Sequence, residues 1–243
     1  MYRYGWVPDI PDKRDYLYSA IRPVVRLPGQ VDLRGECSDI EDQGNLGSCT
    51  AQALAGNIEF LDRMADDIHT DVSRLFIYYN ERSLMGTVDY DSGASMRDGI
   101  KTLKNDGVCR EAVWPYVISR FDSKPPLKCY KEAKLHKIIS YYRIHTIKEM
   151  LTCLTDGYPF VFGFTVYDGF ESDRVAKTGV VNMPKKNEAA LGGHAVMAVG
   201  FDQKAKRFII RNSWGISWGM EGYFTMPFKY LEELSGDFWT IRK

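Results

Sequence analysis

Leu54, Ile58, Leu61 and Ala65 recur at intervals of three and four, with Glu59, Asp62, Arg63 and Asp66 between them. That period predicts an amphipathic helix, and the polar loop from Gln43 to Ser48 ends at Cys49, where the helix begins. Ser73, ahead of Arg74-Leu75-Phe76-Ile77-Tyr78-Tyr79-Asn80-Glu81, predicts a second, short helix with Ser73 as its N-cap. Ser95 predicts a third start, with Met96, Ile100 and Leu103 on one face and Gly107 as the stop. Glu111 to Tyr116 reads as an aromatic loop and Lys124-Pro125-Pro126 as a turn. From about residue 137 the pattern changes. Ile138 to Ile144, Phe160 to Val166, Ala195 to Phe201, Arg207 to Arg211, Gly222 to Met226 and Phe238 to Ile241 read as strands, with a short helix over Ile147 to Leu151 and a hairpin connection over Asp202 to Lys206. A helical half followed by a sheet half predicts an α+β fold of two lobes, about 31–118 and about 119–243, meeting at a cleft.

Residues 1–30 follow neither pattern. They hold four tyrosines, Trp6 and four prolines, and Pro8-Asp9-Ile10-Pro11-Asp12 reads as extended and kinked. Such a stretch is too aromatic for a solvated tail and too short for a folded domain of its own. It predicts an extension draped over the body, which occupies 31–243.

Charge narrows the function. With 32 basic and 32 acidic residues the formal net charge is zero, so no global attraction to nucleic acid or to an anionic membrane is expected. No apolar run is long enough to span a bilayer and no signal-peptide pattern is present, so the reading favours a cytoplasmic protein or export by another route. The five cysteines lack CxxC or close Cys/His spacing, and no metal or other cofactor is expected. If Cys49 is set apart, Cys37, Cys109, Cys129 and Cys153 remain, enough for at most two bridges in three connectivities; the reading favours free thiols in a reducing compartment.

The chemistry gathers around Cys49. A thiol of ordinary pKa about 8.5 is a poor nucleophile at neutral pH, whereas a helix N-terminus and a nearby imidazolium both favour its thiolate. Cys49 stands at a helix start. Well over a hundred residues later come Gly192-Gly193-His194-Ala195, at the head of an apolar strand, and Arg211-Asn212-Ser213-Trp214-Gly215. A nucleophile, a base and an amide that could fix the base's tautomer are thus all present.

These motifs resemble those of the papain-like cysteine peptidases over roughly residues 28 to 243. Gln43, six residues before Cys49, matches the family's oxyanion-hole glutamine. His194 matches its base, Asn212 its third residue, and Trp214 the tryptophan that covers it. Asp91-Ser92-Gly93-Ala94 falls at the glycine-rich stretch that pairs with substrate backbone, and Leu27-Pro28 to Arg34 looks like a mature amino terminus. The resemblance implies a helical N-terminal lobe, an antiparallel sheet or barrel in the C-terminal lobe, and acyl transfer through Cys49 and His194 as a thiolate–imidazolium pair with no cofactor. It also implies substrate contacts at Gly93, Ala94, Met96, Gly163, Gly193, Ala195 and Trp214, an endopeptidase preferring an apolar residue two positions before the cut, and a monomer acting on peptides or proteins. Residues 1–30 become a pro-like extension. The sequence departs from the family at Leu46 and Asp91, where a disulfide is usual, at Thr50, where tryptophan is usual, and at Ala94. These changes point to a bacterial or viral branch. A silent peptide-binding member and a different acyl-transfer enzyme, such as a transglutaminase or cell-wall amidase, are the rival readings.

Overall fold

The computed structural model describes residues 2–23, 25–66 and 69–243. Three helices build one side: α1 (Cys49–Asp66), α2 (Arg74–Met85) and α3 (Met96–Asn105). Their starts follow side-chain chemistry. Ser73 Oγ accepts from the Phe76 amide and Ser95 Oγ from the Asp98 amide, each pairing a donor that the first turn leaves free. Gly86, at φ 70, ends α2.

The sheet holds β1 (Gln30–Asp32), β2 (Ser140–Arg143), β3 (Phe160–Tyr167), β4 (Ala190–Asp202), β5 (Arg207–Arg211), β6 (Tyr223–Pro227) and β7 (Ser235–Arg242). Every pairing is antiparallel, in the order β2-β7-β3-β4-β5-β6 with β1 on β4. The sheet is open, so the barrel alternative does not apply. Shorter helices α4 (Leu127–Ala133), α5 (Ile147–Thr155), α6 (Asp173–Thr178) and α7 (Phe228–Leu234) complete the body. A capping box at Thr146 and Glu149 starts α5.

Strand alternation divides the core in two. Val161, Ala195, Met197, Val199, Trp239 and Ile241 pack with the helical side. Their neighbours Phe160, Phe162, Phe164, Val196 and Ala198 join an aromatic core with α5 and α7 on the other face. The two clusters do not follow chain order in two places. The α4 residues Cys129 and Ala133, and Ile138 after them, belong to the helical cluster, while β1, near the start of the body, belongs to the sheet. The β4 strand also starts earlier than expected, at Ala190. No helix among the described residues is long and apolar enough to cross a membrane.

Candidate active site

Cys49 is the first residue of α1 and His194 lies in β4, so the two side chains come from opposite lobes. His194 Nε2 is 2.8 Å from Asn212 Oδ1. Donation of the Nε2 proton to the amide oxygen leaves Nδ1 as the acceptor nitrogen, and Nδ1 is buried without a hydrogen-bond partner among the described residues. The Trp214 ring lies 5.0 Å from the imidazole, centroid to centroid, and shields the Asn212 bond from solvent. Gln43 is held by its own network. Its Oε1 accepts from Ser213 Oγ at 2.7 Å, and its Nε2 donates to the Leu46 carbonyl at 3.0 Å.

The amino-terminal segment runs through this cleft. The Tyr2 ring stacks on Trp214 at 4.4 Å with planes 4° apart. The Arg3 carbonyl accepts from Gln43 Nε2 at 3.1 Å. Tyr4 stands edge-on to His194 at 6.2 Å. The Trp6 amide donates to the Gly193 carbonyl at 2.9 Å, the Ala94 amide to the Gly5 carbonyl at 2.7 Å, and the Val7 amide to the Ala94 carbonyl at 2.9 Å. The bridge between Trp6 and Ala94 is parallel. Gly93, at φ 69, admits this approach: a Cβ there would stand 2.1 Å from the Gly5 carbonyl oxygen. The segment thus touches Gly93, Ala94, Gly193 and Trp214 of the expected substrate contacts. Its Trp6 ring covers Gly163, which pairs with Ala195 across β3 and β4. Met96 is fully buried at the start of α3.

Beyond Cys49 and His194 the segment is fastened by carboxylates. Asp9 accepts from the Arg97 amide at 3.0 Å and from Trp239 Nε1 at 2.9 Å. Arg97 meets Asp15 through Nε at 3.1 Å and Nη2 at 2.6 Å. Arg143 bridges Asp9 at 3.2 Å, Asp15 at 3.3 Å and Asp237 at 2.7 Å. None of these partners was singled out from the sequence. Their charges lie in separate segments, and only the fold brings them together.

Burial opposes the expected thiolate–imidazolium pair while the segment is docked. Burial pushes the Cys49 thiol up to about 12, against smaller opposing effects from the backbone N–H groups of Ala195, Gly5 and Thr50. Burial likewise pushes His194 down to about 4, with the Asn212 bond opposing it. Both groups are therefore neutral under the segment. The helix N-terminus is where it was expected, but desolvation outweighs it.

The departures from the family pattern are occupied by polar contacts. The Gly47 amide is shared by both Asp91 carboxylate oxygens at 3.1 Å. Thr50 Oγ1 donates to buried Glu81 at 2.6 Å. Tyr116, missed in the sequence, donates to the Gln43 carbonyl at 3.0 Å and meets Ser48 Oγ at 2.6 Å. All five cysteines are free and buried.

Comparison with known proteins bears on the family and the fold. Residues 27–231 match the family model described as papain family cysteine protease. An uncharacterized peptidase C1-like protein of Acanthamoeba polyphaga mimivirus is 43% identical over 99% of this chain and 86% of its own length. The crystal structure of xylellain, a cysteine protease from Xylella fastidiosa, superposes with a TM-score of 0.91 at 43% identity, covering 99% of this chain and 96% of that one. Procathepsin L2 from the larval midgut of Tenebrio molitor shares the fold, with a TM-score of 0.77 at 22% identity over 100% of this chain and 78% of that one. The chain belongs to the papain family of cysteine proteases, and so to the hydrolases of peptide bonds.

Proposed function

We propose that Cys49 is the nucleophile, His194 the general acid and base, and Asn212 the residue that orients it. The Cys49 thiolate attacks the scissile carbonyl, and the oxyanion is received by Gln43 Nε2 and the Cys49 N–H. His194 protonates the leaving amine, then takes a proton from the water that releases the thioester acyl-enzyme. The observation that carries this reading is the buried 2.8 Å contact between His194 Nε2 and Asn212 Oδ1, which leaves Nδ1 as the base. An endopeptidase preferring an apolar residue two positions before the cut fits the Gly163 and Ala195 floor.

In the same reading residues 1–30 act as a tethered plug. The Arg3 carbonyl takes up the Gln43 donor, the aromatic side chains dry the catalytic pair, and the parallel run along Ala94 holds backbone where a substrate would pair. Exchange of the plug for a substrate lets water reach the pair and permits proton transfer from thiol to imidazole. Turnover of a fluorogenic dipeptide amide by the wild type but not by Cys49→Ala tests the assignment. It also separates a peptidase from a silent peptide binder.

A further inference from the structure

Trp6 offers the cleft an apolar ring and a single N–H donor, and the cleft answers both. The ring lies so close over Gly163 that a Cβ there would come within 1.9 Å of its Cε2, while its outer edge passes 3.9 Å from the Cβ position of Gly236. Its Nε1 donates to Asp237 Oδ2 at 3.1 Å. Asp237 is buried and sits at φ 55, a left-handed conformation that few side chains tolerate and that aspartate and asparagine enter most readily. A carboxylate kept in such a place at the end of a cleft is a candidate for function.

The two oxygens of Asp237 have different owners. Oδ1 accepts from Arg143 Nη2 at 2.7 Å, a contact within the body. Oδ2 accepts from Trp6 Nε1 and from the Asp9 amide at 2.7 Å, both in the amino-terminal segment. When the segment withdraws, Oδ2 loses both of these donors and faces the emptied pocket, where a bound side chain that excludes water must replace them.

We infer that Asp237 is a specificity-determining residue, selecting at the Trp6 pocket an aromatic side chain with an N–H at its far edge, an indole above all. The inference rests on the peptidase reading above and names the substrate class for it. A phenylalanine fills the space but leaves Oδ2 unpaired, and sites built around a hydrogen bond reject analogues that lack it. A lysine or arginine is disfavoured for another reason. Asp9 and Asp15 leave with the segment, so Arg97 and Arg143 lose those partners and Asp237 is left as the counter-charge of Arg143. The subsite thus takes a neutral donor, and the segment docks by presenting the side chain that the subsite prefers.

The test uses the full chain and four peptide amides that differ only at the second residue before the cut: Trp, Phe, Leu and Arg. Docking of the segment lowers every kcat/KM by the same open fraction, so their ratios report the pocket alone. The Trp peptide should exceed both the Phe and Arg peptides by about tenfold or more, the scale of a hydrogen bond to a charged acceptor. Asp237→Asn is compatible with φ 55. With its carbonyl turned to Arg143 it presents an NH2 to the pocket, so the Trp/Phe ratio should fall to about one or below. Equal Trp and Phe rates in the wild type, a preference for Arg, or an unchanged ratio in folded Asp237→Asn would overturn the inference while leaving the peptidase reading intact. If the Asn variant does not fold, the wild-type ratios decide alone. Failure to cleave any of the four peptides would overturn the peptidase reading and the inference with it.

Discussion

The Asp91 carboxylate grips the Gly47 amide with both oxygens, 3.1 Å from each. It therefore ties the loop before Cys49 to the glycine-rich stretch, one residue along from Leu46, which with Asp91 stands where the family pattern has a disulfide. Arg3 adds an ion pair to the same carboxylate at 2.8 Å, joining the plug to this clamp. Asp91→Ala leaves the Gly47 amide without a partner and should lower stability by about 1–3 kcal/mol. Arg3→Ala removes a mostly exposed partner and should cost less than about 1 kcal/mol. Urea titrations of the two variants beside the wild type check the difference, and equal midpoints for Asp91→Ala and the wild type would show that the clamp contributes nothing.

Catalysis should fail in graded steps. Cys49→Ala should lose turnover and keep its fold. Gln43→Ala should lose about 10²–10³ in kcat, the usual effect of removing one oxyanion donor. Asn212→Ala should keep measurable activity, because the imidazole survives with poorer orientation. Steady-state kinetics on one amide substrate gives the order, and wild-type-like rates in Cys49→Ala would exclude this nucleophile.

Release of the plug should raise activity. Trp6→Ala in the full chain removes the ring from Gly163 and the bond to Asp237. It should increase both kcat/KM and the alkylation rate of Cys49 by iodoacetamide. Deletion of residues 1–27 should do so more strongly, because Arg97 and Arg143 then gain water in place of Asp9 and Asp15. The contrary outcome is a lower Tm with no gain in either rate, in which case the segment only braces the body.

The pH dependence of stability should carry opposing contributions. Burial raises Glu81 to about 8, despite the Thr50 bond and the Arg82 charge, and raises Glu59 to about 7. The folded form holds these protons more tightly than the unfolded chain, so both groups make stability rise as pH falls from about 8 toward the ordinary carboxylate value of about 4.3. His194 acts in the other direction. Its folded value of about 4 lies below the ordinary 6.5, so its contribution is lost as pH falls between those values. Glu81→Gln removes one proton-linked group without changing shape. Between about pH 6.5 and 9 its Tm should fall less steeply than that of the wild type. Parallel slopes would mean that Glu81 ionises without penalty.

The helices and strands with a clear period were legible in the sequence. The α1 start at Cys49, the Ser73 and Ser95 caps and the β5 range follow from local chemistry. The short helices α4, α6 and α7 were not, since seven residues or fewer show barely two turns of a 3.6-residue period. The residues proposed for catalysis were picked out because their spacing resembles a known family. Asp237, Asp91 and the Asp9–Arg97–Arg143 cluster were not. Each is an ordinary charged residue whose partner lies far along the chain, and isolated charges are usually solvated. The effect of burial on the expected ion pair was not legible either, because it depends on how the segment packs over Cys49 and His194.

The parallel run of Trp6 along Ala94 belongs to the same polypeptide as the nucleophile. A blocker on the same chain acts at an effective local concentration, typically millimolar for a short tether, that is unaffected by the amount of protein present. Dilution, which frees an enzyme from a dissociable inhibitor, leaves this blocker in place. On the tethered-plug reading proposed above, substrate has to outcompete it at every protein concentration, so the chain would stay quiet where peptide is scarce and respond where peptide is abundant.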